Sequence, residues 1–264
     1  KDRTQYEARR CLHRMAAHFP TLQDITIAKR QAWLRTERRN VRTVQKDMCF
    51  LSSYYRFLKE TYRLPQGANA DNPFRDVKLP KSLKPLGETG RRPLELLEIK
   101  HLLASCDDPE VKRFIRTAAY TGLRIKEIGA LTRKESVVHK DGYQCLRVTD
   151  DAKTRASSSR LIPLPFSVDM LELPDEPVYE VPVGKRFGRM KQRLGYGEST
   201  VFHSIRKTFA TCCEQLGIPE GTAADILGHE KNTLSYGLYS GGTSLAQRFD
   251  AMTAIYNLLN QRLS

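Results

Sequence analysis

The sequence predicts a mainly α-helical protein with a small antiparallel sheet, an α+β fold made of two domains. Amphipathic helical patterns fill most of the first 62 of the 264 residues, a tight-turn signal at Asp141-Gly142 separates two strand-like runs, and a helical pattern returns beyond Gly184. We expect a helical N-terminal domain at residues 1–88 and a second domain at residues 93–264.

Three helices are predicted in the N-terminal domain, at residues 4–18, 24–38 and 41–62. The third has the clearest pattern, because apolar side chains recur every three or four positions along it. From residue 64 to residue 92 this periodicity is lost and prolines alternate with basic side chains, so a basic, extended linker is expected over this stretch, with the boundary between the domains at about 78–92.

The second domain is predicted to open with helices at residues 95–105 and 110–119. Strands on both sides of Asp141-Gly142, and another at 161–164, predict two hairpins. An acidic stretch at 172–182 is expected to be a loop. Helices are expected over most of the rest of the chain, including a short helix that begins at Pro219 and a last helix at Leu245–Leu263.

The distribution of charge predicts a nucleic-acid partner. The chain has 44 Lys and Arg against 30 Asp and Glu, a net charge of +14. Residues 1–92 contain 21 basic and 9 acidic side chains, whereas residues 93–264 contain 23 and 21. A solvated helix surface explains single charges but not this summed excess, so we expect the first third of the chain to bind a polyanion.

Several other classes of protein are disfavoured. No apolar run approaches the roughly 20 residues that span a bilayer, and six cysteines show no CxxC pairing, which favours reduced thiols in a cytoplasmic, nucleoid-associated protein without a membrane partner. His229-Glu230 lacks the second histidine of a zinc helix, and neither a carboxylate cluster for two-metal chemistry nor a phosphate-binding glycine loop is present. No cofactor and no metal are therefore expected.

Two basic clusters have the chemistry of a phosphate site. His203 and Arg206 are three residues apart, so both leave the same side of a helix, next to an expected buried stripe of Ile205, Phe209 and Leu216. Arg124 follows a Thr-Gly break at a helix start, and Glu127, one turn later, can hold its guanidinium.

Three further residues stand at turns or glycine-flanked positions. Lys153 lies between two predicted strands, where its ammonium can extend into a groove. Gly228 is expected to cap a helix and to place His229 at its end. Tyr239 lies next to Ser240-Gly241-Gly242, which suits a side chain that must move.

In this order and spacing, these residues resemble the tyrosine recombinase (phage integrase) family. The surrounding segments also match: Thr-Gly-Leu-Arg-x-x-Glu-Ile, Lys-Thr before Arg-x-Ile-Pro-Leu, His-Ser-Ile-Arg-Lys-Thr-Phe-Ala-Thr and Leu-Gly-His. The resemblance covers residues 93–242, and residues 1–88 resemble the helical core-binding domain of that family. It implies a catalytic domain of the tyrosine recombinase type at residues 93–264.

The resemblance also implies a role for each residue. Arg124 and Arg206 would bind the nonbridging oxygens of the scissile phosphate, with His229 adding a hydrogen bond. Tyr239 would be the nucleophile that forms a 3′-phosphotyrosyl bond, Lys153 would protonate the leaving 5′ oxygen, and His203 would assist proton transfer. Tyr236 is the alternative nucleophile, but it lies only seven residues after His229, and family spacing favours the ten of Tyr239.

The implied function is site-specific recombination, in the integration or excision of a phage or mobile element, without metal or ATP. Its partners would be double-stranded DNA with specific recombination sites, a homo-tetramer on that DNA, and accessory DNA-bending or directionality factors. Two alternatives stay open, a DNA-relaxing enzyme like the type IB topoisomerases and a catalytically idle DNA-binding protein on the same fold.

Overall fold

The protein is mainly helical with one small antiparallel sheet, which confirms the predicted fold class. A computed structural model describes residues 2–62, 71–80, 90–149, 159–229 and 242–263. The chain divides into two compact units, Lys1–Thr89 and Gly90–Ser264, and each has a hydrophobic core of its own.

The N-terminal unit contains the three predicted helices, α1 (Asp2–His18), α2 (Ile27–Thr36) and α3 (Val41–Thr61). A short 3-10 turn, Leu22–Asp24, lies between the first two. Polar caps start the later helices, because the side chain of Thr26 accepts from the Lys29 amide at 3.1 Å and that of Asn40 from the Arg42 amide at 2.9 Å.

The predicted linker begins as part of the N-terminal core. Phe74 is buried against Tyr55 and Phe19, and the guanidinium of the buried Arg30 donates to the Pro73 carbonyl. The expectation of an extended linker from residue 64 is therefore wrong around Phe74, because this aromatic ring completes the helical core. Residues 81–89 of the predicted linker lie outside the described part of the chain.

The second unit begins with helices in the region predicted to be helical. Helix α4 (Leu96–Ala104) leads to α5 (Pro109–Thr121), whose Phe114, Ile115 and Ala118 are fully buried. The remaining helices are α6 (Ile125–Ala130), α7 (Arg133–Ser136), α8 (Glu180–Arg193), α9 (His203–Gln215), α10 (Glu220–Leu227) and α11 (Leu245–Leu263).

The sheet contains β1 (Val137–Lys140), β2 (Tyr143–Thr149) and β3 (Ser159–Pro163), in that order and antiparallel throughout. Asp141 and Gly142, both at positive φ, make the predicted turn between β1 and β2. In the register of β2 and β3, Leu146 lies opposite Ile162, and both side chains are buried. Strand β3 starts two residues before its predicted position at 161–164.

Two helix starts differ from prediction. Helix α8 begins at Glu180, inside the expected acidic loop at 172–182, because Pro182 falls in its first turn, where a missing amide hydrogen costs nothing. Helix α10 begins at Glu220, so Pro219 is its cap residue and not its first residue. No helix in the described ranges is long and apolar enough to cross a membrane, and no disulfide joins the six cysteines.

Candidate active site

The candidate site lies where four helix ends of the second unit meet. Gly122 ends α5 with φ +66°, and its amide donates to the Ala118 carbonyl at 2.9 Å. Arg124 then caps α6, and Glu127 accepts both its amide hydrogen and its guanidinium at 2.7 Å. The predicted pairing of Arg124 with Glu127 is therefore confirmed.

A glycine is required at position 122 for two reasons. Its positive φ disfavours any residue with a side chain. A Cβ atom there would also lie 2.7 Å from Phe209 Cδ1 and 2.8 Å from Leu227 Cδ2. The bend before Arg124 is thus fixed by packing against α9 and α10.

Arg206 is buried in the first turns of α9, with only 3% of its surface exposed. Its Nη1 donates to the Gly122 carbonyl at 2.9 Å and its Nη2 to the Leu227 carbonyl at 2.6 Å. Burial, and then the nearby charge of Arg124, lower the pKa of Arg206 to about 9. The guanidinium therefore stays positively charged at neutral pH.

The buried stripe of α9 is only partly as predicted. Ile205 and Phe209 are buried, but Leu216 is 39% exposed. The helix ends at Gln215, and Leu216 leads into Gly217 at φ +66°, so its side chain is no longer on the helical face that meets the core.

The carboxylate of Glu127 binds Arg124 and Arg160 and lies close to Arg206. It is 2% exposed, and its oxygens also accept from Nη1 and Nη2 of Arg160 at 3.1 and 3.0 Å. Burial alone would raise the pKa of Glu127, but hydrogen bonds from Arg160 and the charges of Arg160 and Arg124 outweigh it, so the pKa lies below its ordinary value. The carboxylate is therefore ionised.

Arg160 is a site residue that our residue-by-residue prediction missed. It is 6% exposed on β3, and its Nε donates to the Ile226 carbonyl at 2.8 Å. The sequence did contain a signal, because Arg160 is two positions before the buried Ile162 and so faces the core side of the strand. An inward-facing arginine needs an anionic partner.

Gly228 ends α10 in the predicted manner, with φ +69°, and the exposed His229 follows it. Partial desolvation, and then the charges of Arg206 and Arg124, lower the pKa of His229 to about 4. Partial desolvation, and then the charges of Arg206 and Lys207, also lower the pKa of the exposed His203. Both imidazoles are therefore neutral at neutral pH and can accept a proton.

The structure thus brings Arg124, Glu127, Arg206 and the two histidines together, with Arg160 bound to Glu127. Lys153, Tyr239 and Tyr236 lie outside the described residues. Among the residues that are described, no group of three His, Cys, Asp or Glu side chains could hold a metal ion. Positively charged guanidinium groups beside neutral imidazoles can bind an oxyanion and accept a proton during its reaction.

Comparison with known proteins shows which solved structures have a similar fold. No protein-family model matches the chain, and no curated protein does. Among solved structures, a lambda integrase dimer bound to a COC' core site is 19% identical, with a TM-score of 0.65 over 93% of this chain and 75% of that one. A lambda integrase tetramer bound to a Holliday junction is 18% identical, with a TM-score of 0.62 over 89% of this chain and 73% of that one.

A second kind of integrase is also similar. The Tn1549 transposon integrase in complex with transposon right end DNA is 20% identical, with a TM-score of 0.56 over 89% of this chain and 85% of that one. At these identities the likeness concerns the fold. The chain has the fold of the phage and transposon integrases.

Proposed function

We propose that this chain is a site-specific DNA recombinase of the tyrosine recombinase family, which cuts and rejoins DNA through a 3′-phosphotyrosyl intermediate. The observation that carries the proposal is the pair of guanidinium groups, Arg124 and Arg206, held around the buried Glu127 at the helix ends. The integrase fold and the motifs in the sequence support it.

The arginines would stabilise the charge that develops on the phosphate. Arg206 uses one donor each of Nη1 and Nη2 on backbone carbonyls, and a guanidinium has five N–H donors, so others are left for a ligand. Donors that are fixed before the substrate arrives need no reorganisation during the reaction. Such preorganised donors are often the largest single contribution to lowering an activation barrier of this kind.

The other residues would transfer protons and form the covalent bond. The Tyr239 oxygen attacks phosphorus while the bond to the 5′ oxygen breaks; the phenol proton passes to His203, and Lys153 gives a proton to the leaving 5′ oxygen. His229 donates a further hydrogen bond to the phosphate. The reverse attack by a 5′ hydroxyl reseals the strand, so no ATP is needed.

The basic first third of the chain would supply most of the DNA contacts, since residues 1–92, with 21 basic and 9 acidic side chains, carry +12 of the net charge of +14. We further propose a homo-tetramer that joins two duplexes, in the integration or excision of a mobile element, with accessory DNA-bending or directionality factors. A lambda integrase of similar fold is solved as a tetramer on a Holliday junction.

Covalent trapping tests the proposal. The protein is incubated in EDTA with a library of nicked duplexes of random sequence, in which the short 5′-hydroxyl fragment diffuses away after cleavage and leaves the adduct trapped. We expect adducts that survive denaturation, with a nucleotide on Tyr239 by mass spectrometry. Tyr236→Phe should still form them and Tyr239→Phe should not. Absence of any adduct, or a need for divalent metal, would contradict the mechanism.

A further inference from the structure

The C-terminal end of α10 is bound by three different arginines. The Ile226 carbonyl accepts from Nε of Arg160 at 2.8 Å, the Leu227 carbonyl from Nη2 of Arg206 at 2.6 Å, and the Gly228 carbonyl from Nη2 of Arg124 at 3.3 Å. The last carbonyls of a helix have no partner within the helix and carry partial negative charge. Successive carbonyls of one helix end therefore fix all three guanidinium groups.

Arg160 differs from Arg124 in exposure and from Arg206 in its partners. Its side chain is 4% exposed, against 35% for Arg124. Arg206 is as buried, at 3%, but donates to two backbone carbonyls and not to Glu127. Both terminal nitrogens of Arg160 donate to Glu127, and its Nε donates to α10, so every nitrogen of the fork has a partner within the protein. Arg160 thus joins the carboxylate to the helix end, and all three of its nitrogens are used to hold the protein's own groups.

We infer that Arg160 is a positioning residue, which keeps Arg124 and Arg206 available for the scissile phosphate; this rests on the proposed function. Arg206 Nη1 lies 3.8 Å from the Glu127 Oε2 that Arg160 occupies. Without Arg160, the carboxylate would have free acceptor positions on both oxygens. Arg206 and Arg124 would turn towards it, because an unpaired buried carboxylate attracts the nearest cation.

Gly228 provides the space that this arrangement needs. A Cβ atom there would lie 2.8 Å from Nη1 and 3.0 Å from Cζ of Arg160. The glycine between Leu227 and His229 therefore serves the packing of a guanidinium as well as the left-handed turn. This close approach ties the position of His229 to the same arginine.

The test compares a charged with an uncharged scissile linkage. The duplex recovered from the covalent complexes is made with its natural phosphate and, separately, with a methylphosphonate, which lacks the negative charge that Arg124 and Arg206 neutralise. Single-turnover adduct formation is measured for wild type, Arg160→Met, Arg160→Lys and Arg206→Ala. Arg186→Met is the matched control, because Arg186 pairs with Asp108 and Glu110 at the far end of α5.

We expect Arg160→Met to slow the reaction on the phosphate by about a hundredfold, since a misplacement of about 1 Å in a positioned group can cost that much. On the methylphosphonate, Arg160→Met and Arg206→Ala should both form the adduct at a rate within a few-fold of wild type. Arg160→Lys should show the same pattern with a smaller loss, since a lysine can bind Glu127 but cannot also bind α10. DNA affinity should be unchanged in both variants.

Two results would overturn the inference: an unchanged rate on the phosphate, or an equal loss on both linkages, which a merely structural role would give. If Arg160→Met does not fold, the inference is tested on Arg160→Lys, by the ratio of its adduct-formation rates on the phosphate and on the methylphosphonate. Arg186→Met should lose stability but keep the wild-type ratio. A wild-type protein without any adduct would instead overturn the proposed function, and this inference with it.

Discussion

Arg206 and Gly122 are joined by a hydrogen bond of 2.9 Å across 84 positions of the chain. The bond connects the first turns of α9 to the residue that ends α5, two positions before Arg124. Since Phe209 and Leu227 also fill the space that a Cβ atom of residue 122 would need, a change at this glycine disturbs both arginines at once.

Gly122→Ala should therefore lower both stability and activity. Its Cβ would meet Phe209 at 2.7 Å, whereas Gly217, which has the same φ of +66°, has nothing within 4 Å of the equivalent atom. Gly217→Ala is thus the matched control for backbone strain, about 1 kcal/mol or more in each variant. Denaturation by urea should show an added loss of about 1–3 kcal/mol for Gly122→Ala, from overpacking. Equal losses would show that packing around Gly122 is unimportant.

Replacement of Arg124 or Arg206 should slow cleavage but leave DNA binding intact. Arg124→Ala and Arg206→Ala should each slow adduct formation by about a hundredfold or more, because a fixed donor to the phosphate is lost. Arg→Lys at either position should restore little, since a point charge does not reproduce a guanidinium fork. Gel-shift affinity should change little. Near-normal cleavage by either alanine variant would remove that arginine from the mechanism.

His229 should make the protein less stable in mild acid. Its pKa is about 4 when folded, against an ordinary 6.5, so the unfolded chain binds the proton more readily. This contribution is fully present above pH 6.5, is lost as the pH falls from 6.5 towards 4, and does not change further below that. Urea denaturation of wild type and His229→Gln across this range should show a smaller loss for the variant. Parallel curves would contradict the lowered pKa.

Binding of duplex DNA should weaken steeply with salt, mainly through the N-terminal unit. Between about 50 and 200 mM salt we expect a loss of a hundredfold or more, from release of counterions by several phosphate contacts. Arg42 and Arg56 are exposed on α3, and Arg42→Gln or Arg56→Gln should each lower the salt slope by about one. Arg193→Gln, the same change on the near-neutral second unit, should leave the slope unaltered. A binding isotherm insensitive to salt would argue against the basic unit as the main source of DNA contacts.

Local signals in the sequence predicted much of the fold and part of the site. Gly228 as a helix cap, the Asp141-Gly142 turn and the Arg124–Glu127 pair all depend on residues a few positions apart, where spacing determines contact. Arg160 was missed because its partners lie 33 and 66 residues away. Phe74 was missed for a similar reason, since its place in the N-terminal core depends on a fold and not on periodicity.

The carbonyls at the end of α10 have a consequence for the interval between two rounds of the proposed reaction. In the proposed reaction the phosphate stays bonded to Tyr239 from cleavage to resealing, so the guanidinium groups are without it only between two rounds of the reaction, when they would hydrate or turn towards Glu127. The backbone oxygens of Leu227 and Gly228 accept hydrogen bonds from Arg206 and Arg124 and keep both guanidinium groups in place through this interval. Each incoming DNA site would therefore meet donors that are already aligned.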